Sequence, residues 1–239
     1  MRPHVPGDAS GTNLWVAIFR HPPIVGPTNG PLTDWHMAVH LHHHDLPGDL
    51  DLGTSVAIDT ETMGLNPHRD RLCLVQLSDG NGDAHLVKIA LERQPAPHLE
   101  ALLGNAGVTK LFHFARFDLA SLSHSFGPVA GPVYCTKIAS KLCRTYTDRH
   151  GLKDLCSELL GVEISKQQQS SDWGADTLSR AQQDYAASDV LHLHALREKL
   201  DLMLAREGRS EMAAACFAFL TTRAAMDLAG FDGLDIFHH

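Results

Sequence analysis

No two of the five cysteines (Cys73, Cys135, Cys143, Cys156 and Cys216) form a C-x-x-C pair, and their number is odd. That speaks against a disulfide framework and against a zinc knuckle, and fits a reduced, cytoplasmic setting. Long apolar runs are missing too. No window approaches the roughly 20 uninterrupted apolar residues of a membrane-spanning helix, and no basic segment followed by an apolar one opens the chain as a leader would. Positive charge is scarce: 20 lysines and arginines face 28 aspartates and glutamates, a formal net charge of −8. A protein that grips long duplexes through many phosphates needs a basic stripe. A nucleic-acid substrate is therefore expected to be short, or held through metal ions.

What is present suffices for one good core, with 44% hydrophobic residues in 239. Residues 1–36 are rich in Pro and Gly and show no sustained period. They read as a disordered or dispensable extension before Met37. Strands are expected at 55–61, 71–79 and 84–89, the last two joined by the turn "DGNGD", which predicts an antiparallel start. Beyond a short helix around "HLEALLGN", the chain alternates: strand 110–114, helix 115–126, a strand at "VYCT", then helices over 136–146, 151–160 and 179–207. Ser179 caps the last, with Gln182 three residues on. The expectation is an α/β domain with a mixed sheet, its first three strands antiparallel and the later ones parallel, flanked by helices.

"VAIDTETMGL" (56–65) raises the first chemical question. Asp59 and Glu61 stand at i and i+2 on a strand and share a face. At an effective dielectric near 20, carboxylates about 4 Å apart repel by roughly 4 kcal/mol, so a cation is expected between them. A lone D-x-E more often marks a strand running out into solvent. Asp118, in the first turns of a helix after an apolar strand, would by itself simply complement the helix dipole. Tyr185 and Asp189 in "DYAASDV" are spaced i and i+4 on one helix face. Together the order is far more specific than any member.

That order resembles the three motifs of the DEDDy family of 3′-to-5′ exonucleases, the RNase H-like group that contains RNase D. Within it, "IDTETMGLNPHRDRLCLVQLS", "KLFHFARFDLA", "CTKIASKLCRTYTDRHGLKDLC", "SKQQQSSDW" and "DYAASDVLHLH" are most similar to the nano-RNase C diribonucleases. The chain departs from many relatives in carrying Phe114 after His113, which bears on substrate preference more than on metal binding. The resemblance implies an exonuclease domain over 37–207, two divalent cations, Mg²⁺ or Mn²⁺, and hydrolysis of dinucleotides and very short RNAs to monophosphates. Asp59, Glu61, Asp118 and Asp189 would be the metal ligands, Asp59 shared between ions. Tyr185, whose ordinary pKa near 10 makes it a poor base, would orient the attacking water. Leu65, with Met63 beside it, would wedge against the bases.

His113 is a candidate for the sugar or the scissile phosphate, a half-buried structural histidine being the equal alternative. Phe117 and Phe114 are candidates for stacking, one of them expected in the core. Arg149, His150, Lys166 and Gln169 are candidates for the 5′ phosphate, in loops that ordinary surface segments resemble. "HLHHHD" (40–45) reads as an edge strand in preference to a metal site. Residues 208–239 are too apolar for a surface tail and are expected to pack on the core or on a neighbouring subunit. The resemblance implies an octameric ring. A broader 3′-end trimming nuclease and an inactive RNA-binding relative remain as alternatives.

Overall fold

In the computed structural model, residues 38–92, 94–165 and 167–238 are described. Residues 1–36 and Lys166 therefore lie outside the described residues. The described chain forms a six-stranded sheet of β1 (Val39–His43), β2 (Ser55–Thr62), β3 (Leu72–Ser78), β4 (Ala84–Lys88), β5 (Thr109–Phe112) and β6 (Val133–Cys135), in the order β1-β4-β3-β2-β5-β6. β2, β3 and β4 pair antiparallel, whereas β2–β5 and β5–β6 are parallel. The mixed sheet expected from the sequence is thus present. The edge strand at "HLHHHD" is β1, and it pairs parallel to β4.

Alternation along the strands divides the side chains between two layers. On one face Val56, Ile58, Val75 and Leu77 pack with Leu119 and Leu122 of α2 (Ala115–Phe126) and with Leu220 and Ala224 of a C-terminal helix, Ser210–Met226. On the other face Ala57, Leu111, Leu74 and Leu86 meet Ala186, Ala187 and Val190 from the helix Arg180–Leu191 and Leu193, Leu196 and Leu200 from the helix Leu193–Arg206. β3, "LCLVQLS", is buried at all seven positions because helices cover both of its faces.

In chain order the helices are α1 (Pro97–Gly104), α2, α3 (Thr136–Cys143), α4 (Leu152–Leu155, continued by a π-helical turn over Cys156–Leu160), α5 (Arg180–Leu191), α6 (Leu193–Arg206) and α7 (Ser210–Met226). The helix expected to run unbroken over 179–207 is two, divided at His192 (φ −102, ψ −4). Its capping box is as expected: Ser179 Oγ accepts from the Gln182 amide while Gln182 Oε1 accepts from the Ser179 amide. Ser210–Phe231 is long and apolar enough to cross a membrane by length and composition, although Glu211, Arg223 and Asp227 interrupt it.

The histidines of β1 make a titratable feature. His40 and His42 stack with His85 of β4 at centroid distances of 4.8 and 5.3 Å, and His42 Nε2 lies 3.0 Å from His85 Nδ1. Burial first, then the neighbouring imidazoles, hold His42 and His85 below the ordinary histidine pKa. A depressed histidine favours the neutral folded form, so its contribution is present above about pH 6.5 and is lost as pH falls below it. His42→Phe keeps a stacking ring and removes a titrating group. The melting temperature of the wild type is expected to fall more steeply from pH 7 to 5 than that of H42F; parallel curves would exclude this stack as the cause.

Candidate active site

β2 delivers Asp59 and Glu61 to the face covered by α5, while Thr60 between them points to the α2 face. There the Thr60 hydroxyl donates to Asp118 Oδ1 at 2.6 Å, and Asp118 is only 3% exposed. From above, α5 lowers Tyr185 and Asp189 one turn apart, and the Tyr185 hydroxyl hydrogen-bonds the Asp189 carboxylate. One carboxylate oxygen from each of Asp59, Glu61 and Asp189 lies within 4.8 Å of the others. Among the described residues this is the one such group of acids, histidines and cysteines. Asp118 stands to one side, coupled to Asp59 through space. A register shift between Glu61 and Thr62 bends β2 as it leaves the sheet, a distortion common beside active sites.

Acids this close raise the proton affinity of their neighbours. For Asp118 and Glu61 burial comes first: it pushes Asp118 up to about 7 and, with Asp189 and Asp118 adding repulsion, Glu61 up to about 9. Asp59 is held well above the usual carboxylate range by burial, then by Asp118, Asp189 and Glu61. Among the described residues no lysine or arginine forms an ion pair with Asp59, Glu61 or Asp118. Converging carboxylate oxygens are what hard divalent cations take as ligands, so this donor set fits Mg²⁺ or Mn²⁺. The same burial, with Asp189 next, holds the Tyr185 phenol above its ordinary pKa, so it stays protonated through the neutral range.

Leu65, 84% exposed, shares a cavity of about 300 Å³ with Phe114, Phe117 and Arg116. Phe114 is 50% exposed and Phe117 is not fully buried, so neither is the core residue expected of one of them. Phe114 adopts φ 72 at the start of α2, and Lys137 Nζ sits 4.2 Å above its ring. Arg116 reaches from this cavity to both carboxylate oxygens of Asp227 and to the Asp232 carbonyl, which makes the segment after α7 one of its walls. Met63 lies against the loop before α5: a Cβ on Gly174 would come within 2.6 Å of its sulfur, so a larger residue there would displace the end of the Met63 side chain. Lys88, Arg71 and Gln182 fasten that loop through the carbonyls of Trp173, Gly174 and Asp172.

The phosphate candidates separate. Arg149 is engaged with Asp154 and Glu158, and His150 Nδ1 with Ser140 Oγ. Gln169 is exposed, whereas its neighbours Gln167 and Gln168 line a cavity of about 380 Å³ beside Tyr185. His113 Nδ1 stands 2.8 Å from Thr136 Oγ1. Because that hydroxyl gives its proton to the Phe112 carbonyl, it accepts from His113 Nδ1–H.

A mixed sheet that presents paired acids on its central strand, a third on the following crossover helix and a Tyr-x-x-x-Asp on a helix above defines a metal-dependent 3′–5′ exonuclease architecture. The chain belongs to the 3′–5′ exonuclease family, whose model matches residues 43–205. The ribonuclease D of Acidiphilium cryptum is 38% identical over 159 residues, 66% of this chain and 40% of that protein. The chain thus spans about two-fifths of the length of that relative. The structure of Brucella melitensis NrnC bound to pGG is 58% identical with a TM-score of 0.82, covering 85% of this chain and 99% of the other, and the same protein is known with bound Mg²⁺. Escherichia coli RNase D follows at 27% identity and a TM-score of 0.65, covering 72% of this chain and 45% of that one.

Proposed function

We propose that the protein is a metal-dependent 3′-to-5′ exoribonuclease that hydrolyses dinucleotides and very short RNAs to nucleoside monophosphates. The observation that carries this reading is the convergence of Asp59, Glu61 and Asp189 within 4.8 Å, with Asp118 buried alongside. Similarity over nearly the whole length of NrnC, a protein seen with pGG, supports the short substrate.

In this reading Asp59, Glu61, Asp118 and Asp189 hold two divalent cations, which supply charge stabilisation at the attacking and leaving oxygens and lower the pKa of water. Asp59 is central to the cluster, and Glu61, Asp189 and Asp118 around it are the residues that would hold the ions with it. Tyr185 keeps its proton at neutral pH and orients that water as a hydrogen-bond partner, not as a base. His113, held against Thr136 Oγ1, contacts the sugar or the scissile phosphate. Leu65 and Met63, with Phe114 and Phe117 across the cavity from Leu65, hold the bases. For the 5′ phosphate, the ion pairs of Arg149 and the bond of His150 to Ser140 favour the loop around Gln169, including Lys166, over these two.

The chain is read as an exonuclease domain over 37–207 followed by a C-terminal segment, 208–239, that meets neighbouring subunits. Met212, Phe219, Phe231, Leu234, Ile236 and Phe237 are exposed along it, and soluble oligomers close by symmetry, here as an octameric ring. The cysteines are all free, in keeping with a cytoplasmic enzyme.

A broader RNase D-like trimming enzyme is the second reading, favoured by the ribonuclease D relatives. Single-turnover hydrolysis of 5′-labelled RNAs of two to seven nucleotides in Mg²⁺ separates the two. The dinucleotide is expected to be cleaved at least about tenfold faster than the seven-mer, a difference of about 1.4 kcal/mol in the barrier. Equal rates would hand the function to the trimming enzyme, and no cleavage of any length to an inactive RNA-binding relative.

A further inference from the structure

Directly opposite Asp59, on β3, stands Gln76. It is 0% exposed, and neither its amide nitrogen nor its amide oxygen has a hydrogen-bond partner among the described residues. Residues facing each other in an antiparallel pair project to the same side of the sheet with Cβ atoms about 4.5–5.5 Å apart. The carboxamide therefore emerges beside the Asp59 carboxylate, on the face covered by α5. Its neighbour on the other side is Leu86 of β4. Leu74 and Leu86 on this face of the sheet cluster with Trp173, Leu178 and Ala186, and Tyr185 packs against them.

A primary amide in such a layer is out of place if its role is to fill space. Methionine or leucine fills the same volume without burying two polar groups that must leave water. The Trp173 indole is also buried without a partner, but it is a donor only. It could serve Gln76 Oε1 and would leave the two N–H groups of Nε2 unused. What those N–H groups need is an acceptor. Asp59 is an acceptor in need of donors: it receives one hydrogen bond from the Thr60 backbone and otherwise faces the carboxylates of Asp118, Asp189 and Glu61.

We propose that Gln76 is a positioning residue for the metal site: without a partner among the described residues of the metal-free protein, its Nε2–H turns to one oxygen of Asp59 when divalent cations are held by Asp59, Glu61 and Asp189, leaving the other oxygen to the ions. This rests on the metal-dependent reading of the site. A carboxylate that binds ions needs one rotamer out of several, and a hydrogen bond from a side chain locked in the sheet selects it without adding charge. Groups that orient a metal ligand in this way typically change metal affinity by about 10–100-fold when removed.

The test uses the full chain stripped with EDTA and titrated with Mn²⁺ while thermal unfolding is followed. Gln76→Met is expected to melt at or above the wild-type temperature in EDTA, because an orphan amide has been replaced by an apolar chain. Its Mn²⁺ midpoint is expected to rise about 10–100-fold, with kcat on pGG falling and KM little changed. Gln76→Leu carries the same expectation should the methionine variant fail to fold. A wild-type Mn²⁺ shift that the variant reproduces within twofold overturns this proposal alone. A wild type with no metal-induced shift overturns both the proposal and the reading of the site on which it rests.

Discussion

Asp59→Asn is expected to abolish hydrolysis while making the metal-free protein more stable. The substitution keeps the size of the side chain and removes the charge at the centre of the cluster, the one that Glu61, Asp118 and Asp189 all face. Losing the central ligand forfeits metal stabilisation of the transition state, which is worth several kcal/mol. About 4 kcal/mol corresponds to about a 10³-fold loss of kcat. In EDTA the sign reverses, because the like-charge repulsion that the cations would offset is relieved instead. Each kcal/mol relieved should raise the melting temperature by about 2–4 °C in a protein of this size. The two measurements together are diagnostic. A variant that loses activity and melts lower has merely misfolded, and one that keeps wild-type activity would falsify the role of Asp59 as a metal ligand.

The same tension explains how much of the site was legible in the sequence. Charged residues at fixed spacing on strands and helices are conspicuous because bringing several acids out of water together is costly. Asp59, Glu61, Asp118, Tyr185 and Asp189 could therefore be named from their order and spacing and the family resemblance these carry, and the structure brings them together. The capping box at Ser179 and the hairpin at "DGNGD" were legible for a similar reason: each is a local rule with a local signature.

What escaped depended on partners far away in the chain. The break at His192 leaves the apolar period intact from Val190 to Leu193, Leu196 and Leu200, so periodicity had nothing to report. Phe114 and Phe117 look like core residues until α2 is seen to begin at the rim of a cavity. Arg149 and His150 look available until Asp154 and Ser140 are placed beside them. Gln76 is an ordinary polar residue in "LCLVQLS" until the sheet register sets it opposite Asp59 with no partner. Its only signal in the sequence is a glutamine interrupting an apolar run.

Metal removal should make stability fall with pH, and metal addition should reverse that slope. Glu61 is pushed up to about 9 and Asp118 to about 7, in each case by burial first, and Asp59 is raised as well. Unfolded carboxylates titrate near 4. Between these values the native state binds more protons than the unfolded state, so the derivative of unfolding free energy with pH is negative. The stabilising protonated form is fully present below about pH 4 and is lost as pH rises through the folded values. From pH 7 to 9 His42 and His85, held below the ordinary histidine value, stay neutral, so the melting temperature in EDTA is expected to drop across this window. Cations bind only the ionised carboxylates, so the gain from added Mn²⁺ should widen over the same window. At a concentration a hundred times Kd the gain is about 2.7 kcal/mol, or about 5–10 °C. A metal-free melting temperature that is flat or rising from pH 7 to 9 would mean that the four acids do not repel one another in the folded protein. The divalent cations would then no longer be needed to explain why an acidic chain buries them.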